Sequence, residues 1–141
     1  MLHLIKLSVG TTDVGDLASW QARRLRDSVE SGGGRRLWHT TRNMPRRGEE
    51  LLGGGSIYWV IKGRVLARQR LNGLERDVDT EGRRFCRLML DPDLIEVAPW
   101  PHRPFQGWRY LEVPPPDLAS LGGGAGMPAE LAAELRELGL L

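Results

Sequence analysis

The sequence predicts an α+β fold, with a curled, mostly antiparallel sheet, one long N-terminal helix and short flanking helices. Two observations carry this. A helical apolar period is sustained at length only once, between residues 13 and 30. Short β-branched, aromatic or alternating stretches bounded by turn residues recur about five to seven times along the rest of the chain.

Leu2, Leu4 and Leu7, with Ile5 beside them, predict a strand over residues 2–8, ended by Gly10-Thr11-Thr12. Thr12 or Asp13 can cap a helix running to about Glu30, because a side-chain oxygen there accepts from the first unpaired backbone N–H groups. Val14, Leu17, Ala18, Leu25 and Val29 recur at helical spacing and give it one apolar stripe. Gly32-Gly33-Gly34 then makes a loop, and Leu37 to Thr41 has strand residues. Pro45 fits a first helical position and Gly53 a stop, so a short helix falls between them. Ser56 to Lys62 reads as a strand, punctuated by Gly63 and answered by a second strand from Arg64 to Leu71. Alternation puts Val65, Ala67, Gln69 and Leu71 on one face of that second strand, with Arg64, Leu66, Arg68 and Arg70 on the other. Asn72-Gly73 signals a turn and residues 75–82 a polar loop. Arg83 to Leu90 alternates as a strand, and Leu94 to Val97 makes another short one. Residues 99–104 form a proline-rich loop, and Trp108 to Val113 a last strand broken by Pro114-Pro115-Pro116. One domain is expected over residues 1–118. Residues 119–141 then form a glycine-rich linker and a short amphipathic helix carrying Leu131, Leu135 and Leu138 on one side.

A chain of 141 residues, 40% hydrophobic and 27% charged, is large enough to hold a core without disulfides or metals. No run of about 20 apolar residues exists, so no transmembrane helix and no membrane partner are expected. The N-terminus lacks a basic region and a small-residue cleavage site and reads as a strand, not a signal peptide. Cys86 is the single cysteine, which excludes an internal disulfide and makes cytoplasmic residence the default expectation.

The net charge of +2 is unevenly spread: residues 35–110 carry fifteen Lys and Arg against nine Asp and Glu. The same region holds two blocks rich in aromatics and arginine, Ser56 to Arg70 and Trp100 to Tyr110. Rings stack on bases and guanidinium forks grip phosphates, so this vocabulary suits a polyanion with π faces. Tyr58, sharing a face with Ser56, Val60 and Lys62, is the ligand-facing ring of the first block, whereas Trp59 reads as core. Arg68 and Arg70 lie about 7 Å apart along one strand face, a spacing that can track a phosphate backbone; Asp77, Asp79 and Glu81 are the nearby acids that could instead pair with them. In the second block Trp108 and Tyr110 share a face and Arg109 takes the other, on a segment stiffened by Pro101 and Pro104. Arg42, Arg46 and Arg103 complete the expected binding set.

The strings Arg42-Asn43-Met44-Pro45-Arg46-Arg47, Gly54-Gly55-Ser56-Ile57-Tyr58-Trp59-Val60-Ile61-Lys62-Gly63, Arg68-Gln69-Arg70-Leu71 and Arg103-Pro104-Phe105-Gln106-Gly107-Trp108-Arg109-Tyr110-Leu111 resemble a small bacterial family known only as a conserved domain of unknown function. That resemblance extends to about Leu118 and implies no activity. The order of short helix, glycine turn, strand and answering strand is also similar to the PUA-like superfamily, which includes the ASCH and EVE domains. This second resemblance implies a small curled β-barrel flanked by helices, a class in which many members bind RNA or modified nucleobases.

Catalytic signals are sparse. His39 and His102 are available for acid–base work, but no nucleophile-elbow motif accompanies them. Cys86 sits among strand leucines as a small hydrophobe. Three scattered histidines and one cysteine match no familiar ligand spacing, and the glycine runs lack the residues of a phosphate loop, so no metal or cofactor is expected. The first expectation is therefore a non-catalytic binding module for RNA or another single-stranded nucleic acid. A protein-interaction module or homodimer is the alternative, since Trp, Tyr and Arg also anchor interfaces. A small enzyme acting on a nucleotide or anion, with His39 or His102 as base, is the third.

Overall fold

A computed structural model describes residues 1–121; the C-terminal helix expected from Pro128 to Leu138 lies outside the described residues. The architecture is α+β. A seven-stranded mixed sheet curls without closing, so the curled-sheet form is adopted and not a barrel. Strand β1 (His3–Leu7) is followed by helix α1 (Val14–Glu30), β2 (Leu37–Thr41), the short α2 (Gly48–Leu52), β3 (Ser56–Ile61), the long β4 (Arg64–Val78), β5 (Arg84–Leu90), β6 (Ile95–Pro101) and β7 (Trp108–Leu111). The sheet order is β2-β5-β4-β3-β1-β7, with β6 paired to β4. Only β1 and β3 run parallel, because α1, β2 and α2 intervene between them; the other pairings are antiparallel. Among the described residues no helix is long and apolar enough to cross a membrane.

Helix α1 begins where the residues can satisfy its free amides. Asp13 accepts from the Asp16 N–H at 2.7 Å, and Asp16 reaches back to accept from the Thr12 N–H at 3.0 Å. Its buried face differs from the apolar stripe. Leu17, Gln21 and Ser28 are buried, flanked by Val14 and Leu25, while Ala18 and Val29 face outward. Two polar residues enter the helix–sheet layer because each finds a partner there: Gln21 on Gln69, and Ser28 on the Gly34 carbonyl.

β3 is buried along its whole length and lies at the centre of the molecule. Lys62 and Gly63 turn it into β4 with φ of 48° and 79°, the double positive φ of a two-residue hairpin whose twist matches its strands. Gly55, just before β3, passes so close to the Leu2 and Leu51 carbonyls that a Cβ would collide with both. The register between β3 and β4 shifts by one residue, pairing Trp59 with Ala67 but Val60 with Val65. This bulge overturns the simple alternation expected for Arg64–Leu71. Val65 joins the second apolar cluster with Ile5, Tyr58, Val60 and Val97, whereas Leu66 packs against the main cluster. The main cluster lies on the α1 side and includes Leu4, Leu17, Leu51, Ile57, Trp59, Ile61, Leu71 and Leu88.

Three expectations about the strands are corrected. Asn72-Gly73 is not a turn: a second register shift between Leu71 and Gly73 lets β4 run on to Val78. Residues 75–78, expected in a loop, therefore pair with β5. Their polar side chains face water on an edge of the sheet, which erased the apolar period that would have marked a strand. Trp100 and Pro101, also expected in a loop, belong to β6 and pair with Val65 and Arg64. Proline is tolerated there because β6 is an edge strand: beyond a bridge from Val97 to Asp117 and a bond from the Ala98 N–H to the Pro116 carbonyl, no second strand among the described residues pairs with its Trp100–Pro101 end.

Candidate functional site

The curl of the sheet brings chain segments far apart in sequence around one groove of about 1030 Å³. Its walls are Trp108 and Tyr110 of β7, the 42–46 segment that leaves β2, and the far end of the β4–β5 hairpin with Arg76, Arg84 and Phe85. β2 and β7 are the two ends of the strand order, yet the segment after β2 reaches β7 directly. The Trp108 indole donates to the Asn43 carbonyl at 2.8 Å, and the Arg47 N–H donates to the Tyr110 hydroxyl at 3.1 Å. These bonds hold the groove open with both rings in place, their centroids 4.9 Å apart and edge to face.

The groove is positive. Arg42, Arg46, Arg76 and Arg84 line it, and among the described residues none of the four is in an ion pair. Among the described residues the lining holds one acid, Asp77, which is bound by Arg87 at 2.8 Å; the Val78 N–H and that bond together lower the Asp77 pKa below the ordinary carboxylate value. The Arg87 guanidinium also lies over the Phe85 ring at 4.9 Å and fixes it. The neighbouring Arg47 is spent differently, on a paired bond to Glu50 and on the Tyr110 ring.

Of the nine residues expected at a binding surface, four meet here: Arg42, Arg46, Trp108 and Tyr110. The remaining five do not. Tyr58 is only 3% exposed, edge-on to His3 in the second cluster, so it has no free face to stack. Arg68 is not a phosphate tracker: its guanidinium makes a paired bond to Asp117 at 2.6 and 2.7 Å and a further one to Ser56 at 2.9 Å. The acid that neutralises it comes from beyond the last strand, not from Asp77, Asp79 or Glu81. Arg70, aligned with Ser56, lies on that same sheet face, away from α1. Arg109 is aligned with Ile5 and stacks on Phe105 at 4.8 Å, on the face opposite Tyr110, which is aligned with Leu4. Arg103 is exposed and lies outside the groove. The Trp100–Tyr110 block is therefore split across both faces of the sheet. Arg76 was missed because residues 75–82 carry no apolar period; the signal available was the alternation of charge from Glu75 to Asp77. Arg84 and Phe85 lie in the strand read from Arg83 to Leu90, and only long-range pairing brings that strand's start to the groove.

A second cavity, of about 540 Å³, lies between the start of α1 and β2 and contains His39 with Trp20, Trp38, Trp59 and Gln21. The His39 ring is edge-on to Trp59 at 5.1 Å. Burial, reinforced by the Lys6 and Arg24 charges, pushes its pKa down to about 4, so the ring is neutral at pH 7. Histidine and arginine cluster are thus separated, since the arginine groove has no histidine in its lining. His102 makes a short contact with the Arg103 carbonyl and packs edge-on to Phe105. Cys86 is fully buried, and burial pushes its thiol pKa up, which disfavours the nucleophilic thiolate. Among the described residues no three His, Cys, Asp or Glu side chains gather closely enough to hold a metal ion.

Residues 4–141 match the family model described as protein of unknown function (DUF1489), and the chain belongs to that family. No curated protein and no solved structure matches the chain.

Proposed function

We propose that this DUF1489 member is a non-catalytic binding module for RNA or another single-stranded nucleic acid, and that the groove between β7, the 42–46 segment and the β4–β5 end is its site. One observation carries the reading: four arginines without acidic partners among the described residues share a single groove with Trp108, Tyr110 and Phe85. Guanidinium groups neutralise successive phosphates, while the rings offer π faces to bases. Rings at a groove wall can stack only on bases that are not already stacked in a duplex, which favours single strands. A protein partner would be held mainly by apolar contact at a desolvated centre, and four clustered guanidinium groups oppose such burial unless acids answer each one.

Titration of the nuclease-treated protein with labelled single- and double-stranded RNA and DNA tests this. Binding that prefers single strands and weakens steeply with salt is expected. Equal or absent binding of all four at low salt overturns it. Salt-insensitive self-association would then place the same groove in a homodimer.

A further inference from the structure

The cavity beside α1 has a different chemistry from the groove. Three of the chain's five tryptophans, Trp20, Trp38 and Trp59, line it, and its volume of about 540 Å³ falls within the range of about 300–1,000 Å³ usual for small-molecule sites. Its walls are rigidly held. Gln21 and Gln69 bond reciprocally, amide to amide, at 2.7 Å in each direction. Gln69 also accepts from the Trp59 indole at 2.8 Å and donates to the Asp91 carbonyl at 3.1 Å, which exhausts its donors and acceptors. Gln21 has spent one N–H and one lone pair, so its amide is fixed in place with one of each to spare. On the outer side the Arg24 guanidinium lies over Trp20 at 4.6 Å and Trp38 at 5.9 Å, and donates to the Trp38 carbonyl at 3.1 Å.

The unspent polar groups next to the tryptophans, on Gln21 and His39, are neutral at pH 7. His39 makes no hydrogen bond among the described residues, and no buried side-chain nitrogen or oxygen there lacks a partner. Its ring nitrogens therefore reach the cavity space instead of the core. The Ser8 and Thr11 hydroxyls bond to each other at 2.8 Å, and the Thr11 hydroxyl also donates to the Ser8 carbonyl at 3.0 Å, so these two groups satisfy one another. Among the described residues one carboxylate lies in the lining, Asp16, whose Oδ2 accepts from the Thr12 amide and hydroxyl at the helix cap. Arg23 in the lining, with Lys6 and Arg24 close to His39, makes the surroundings positive, so a cationic guest of the kind that aromatic cages hold is disfavoured. A plain hydrocarbon would strand the Gln21 and His39 groups.

We infer that this cavity binds a flat nitrogen heterocycle of the nucleobase class, its ring among the tryptophans and its edge on Gln21 and His39. This site stands apart from the groove reading. Its guest could arrive as a free base or nucleoside, or as one unstacked base of a strand. Lys6 of β1 is aligned with Trp59 in the cavity wall and with Trp108 in the groove wall, so these two wall residues lie about two strand spacings, or roughly 10 Å, apart along the sheet.

The test is titration of the full chain with adenosine, guanosine, cytidine and uridine, and with short oligonucleotides, followed by tryptophan fluorescence and calorimetry. We expect saturable one-to-one binding of at least one nucleoside, or of an oligonucleotide base, that Trp20→Ala and His39→Ala each weaken tenfold or more. Arg76→Gln/Arg84→Gln should leave nucleoside binding unchanged. Trp20 is 41% exposed, so its loss should be tolerated; His39→Phe, which keeps a ring but no nitrogen, is the second variant if either alanine melts early. Nucleoside binding without oligonucleotide binding supports a free guest and removes the groove reading alone. Oligonucleotide binding that an abasic position weakens only in the wild type supports a base of the strand. If neither ligand responds to Trp20 or His39 substitution in folded protein, the inference is overturned.

Discussion

Replacing Arg76 and Arg84 by glutamine should halve the salt dependence of nucleic-acid binding while barely touching the fold. Four arginines line the groove. If each neutralises one phosphate of a single strand, log K falls with log salt at a slope of about −0.7 per contact, or about −2.8 in total. Between about 50 and 200 mM salt the wild type should then lose roughly 50-fold in affinity. The double variant keeps two contacts, so its slope should be about −1.4 and its affinity at about 0.1 M salt roughly 25-fold lower. Neither arginine has an acidic partner among the described residues, so no buried charge is orphaned and stability should stay within about 0.5 kcal/mol. Anisotropy of a short labelled oligonucleotide across a salt series gives the slope, with Arg109→Gln on the opposite face as a control that should not change it. An unchanged slope in the double variant, or a wild-type slope near zero, would refute the reasoning.

Three further outcomes are expected. Trp108→Ala removes a groove ring worth about 1–3 kcal/mol of binding and also the bond to the Asn43 carbonyl; affinity should fall further than the change in melting temperature explains, and Trp108→Phe should recover most of it. Should unfolding account for the whole loss, Trp108 is a packing residue and not a contact. Gln69→Leu leaves the Trp59 indole N–H and the Gln21 amide buried without their partner, so urea denaturation should show a loss of about 3 kcal/mol or more; a loss below about 1 kcal/mol would mean water takes its place. The His39 pKa is depressed from 6.5 to about 4, so the unfolded chain takes up a proton over a range in which the folded chain does not. Stability attributable to His39 is therefore complete above pH 6.5 and declines as pH falls toward 4, by up to roughly 3 kcal/mol. Denaturation midpoints measured across that window should fall less steeply in His39→Phe than in the wild type; parallel curves would show that the ring is not the titrating group.

The features readable from the sequence are those that depend on near neighbours. The Asp13 cap and the course of α1 to Glu30 follow from contacts three and four residues apart. The hairpin at Lys62-Gly63 follows from a glycine able to take positive φ between two β-branched stretches. Trp59 as core, and the gathering of positive charge with aromatic residues between 35 and 110, were equally visible. What these groups face was not. Strand alternation assigns residues to two faces, but a one-residue bulge exchanges the faces, as it does at Val65 and Leu66, and the chain itself does not announce a bulge that twist and pairing impose. Tyr58 and Arg68 show a second limit: they lie on the face that alternation assigns them and have the chemistry of a binding surface, yet they are consumed by packing and by Asp117, 49 residues from Arg68 in the chain. The groove itself joins β7, the segment after β2 and the end of the β4–β5 hairpin, so its existence depends on how far the sheet curls. That curl is the sum of pairings between segments distant in sequence. The chain by itself therefore determined which chemical groups were available, and the tertiary structure decided which of them share a site, because proximity across a sheet is a property of long-range pairing and not of local propensity.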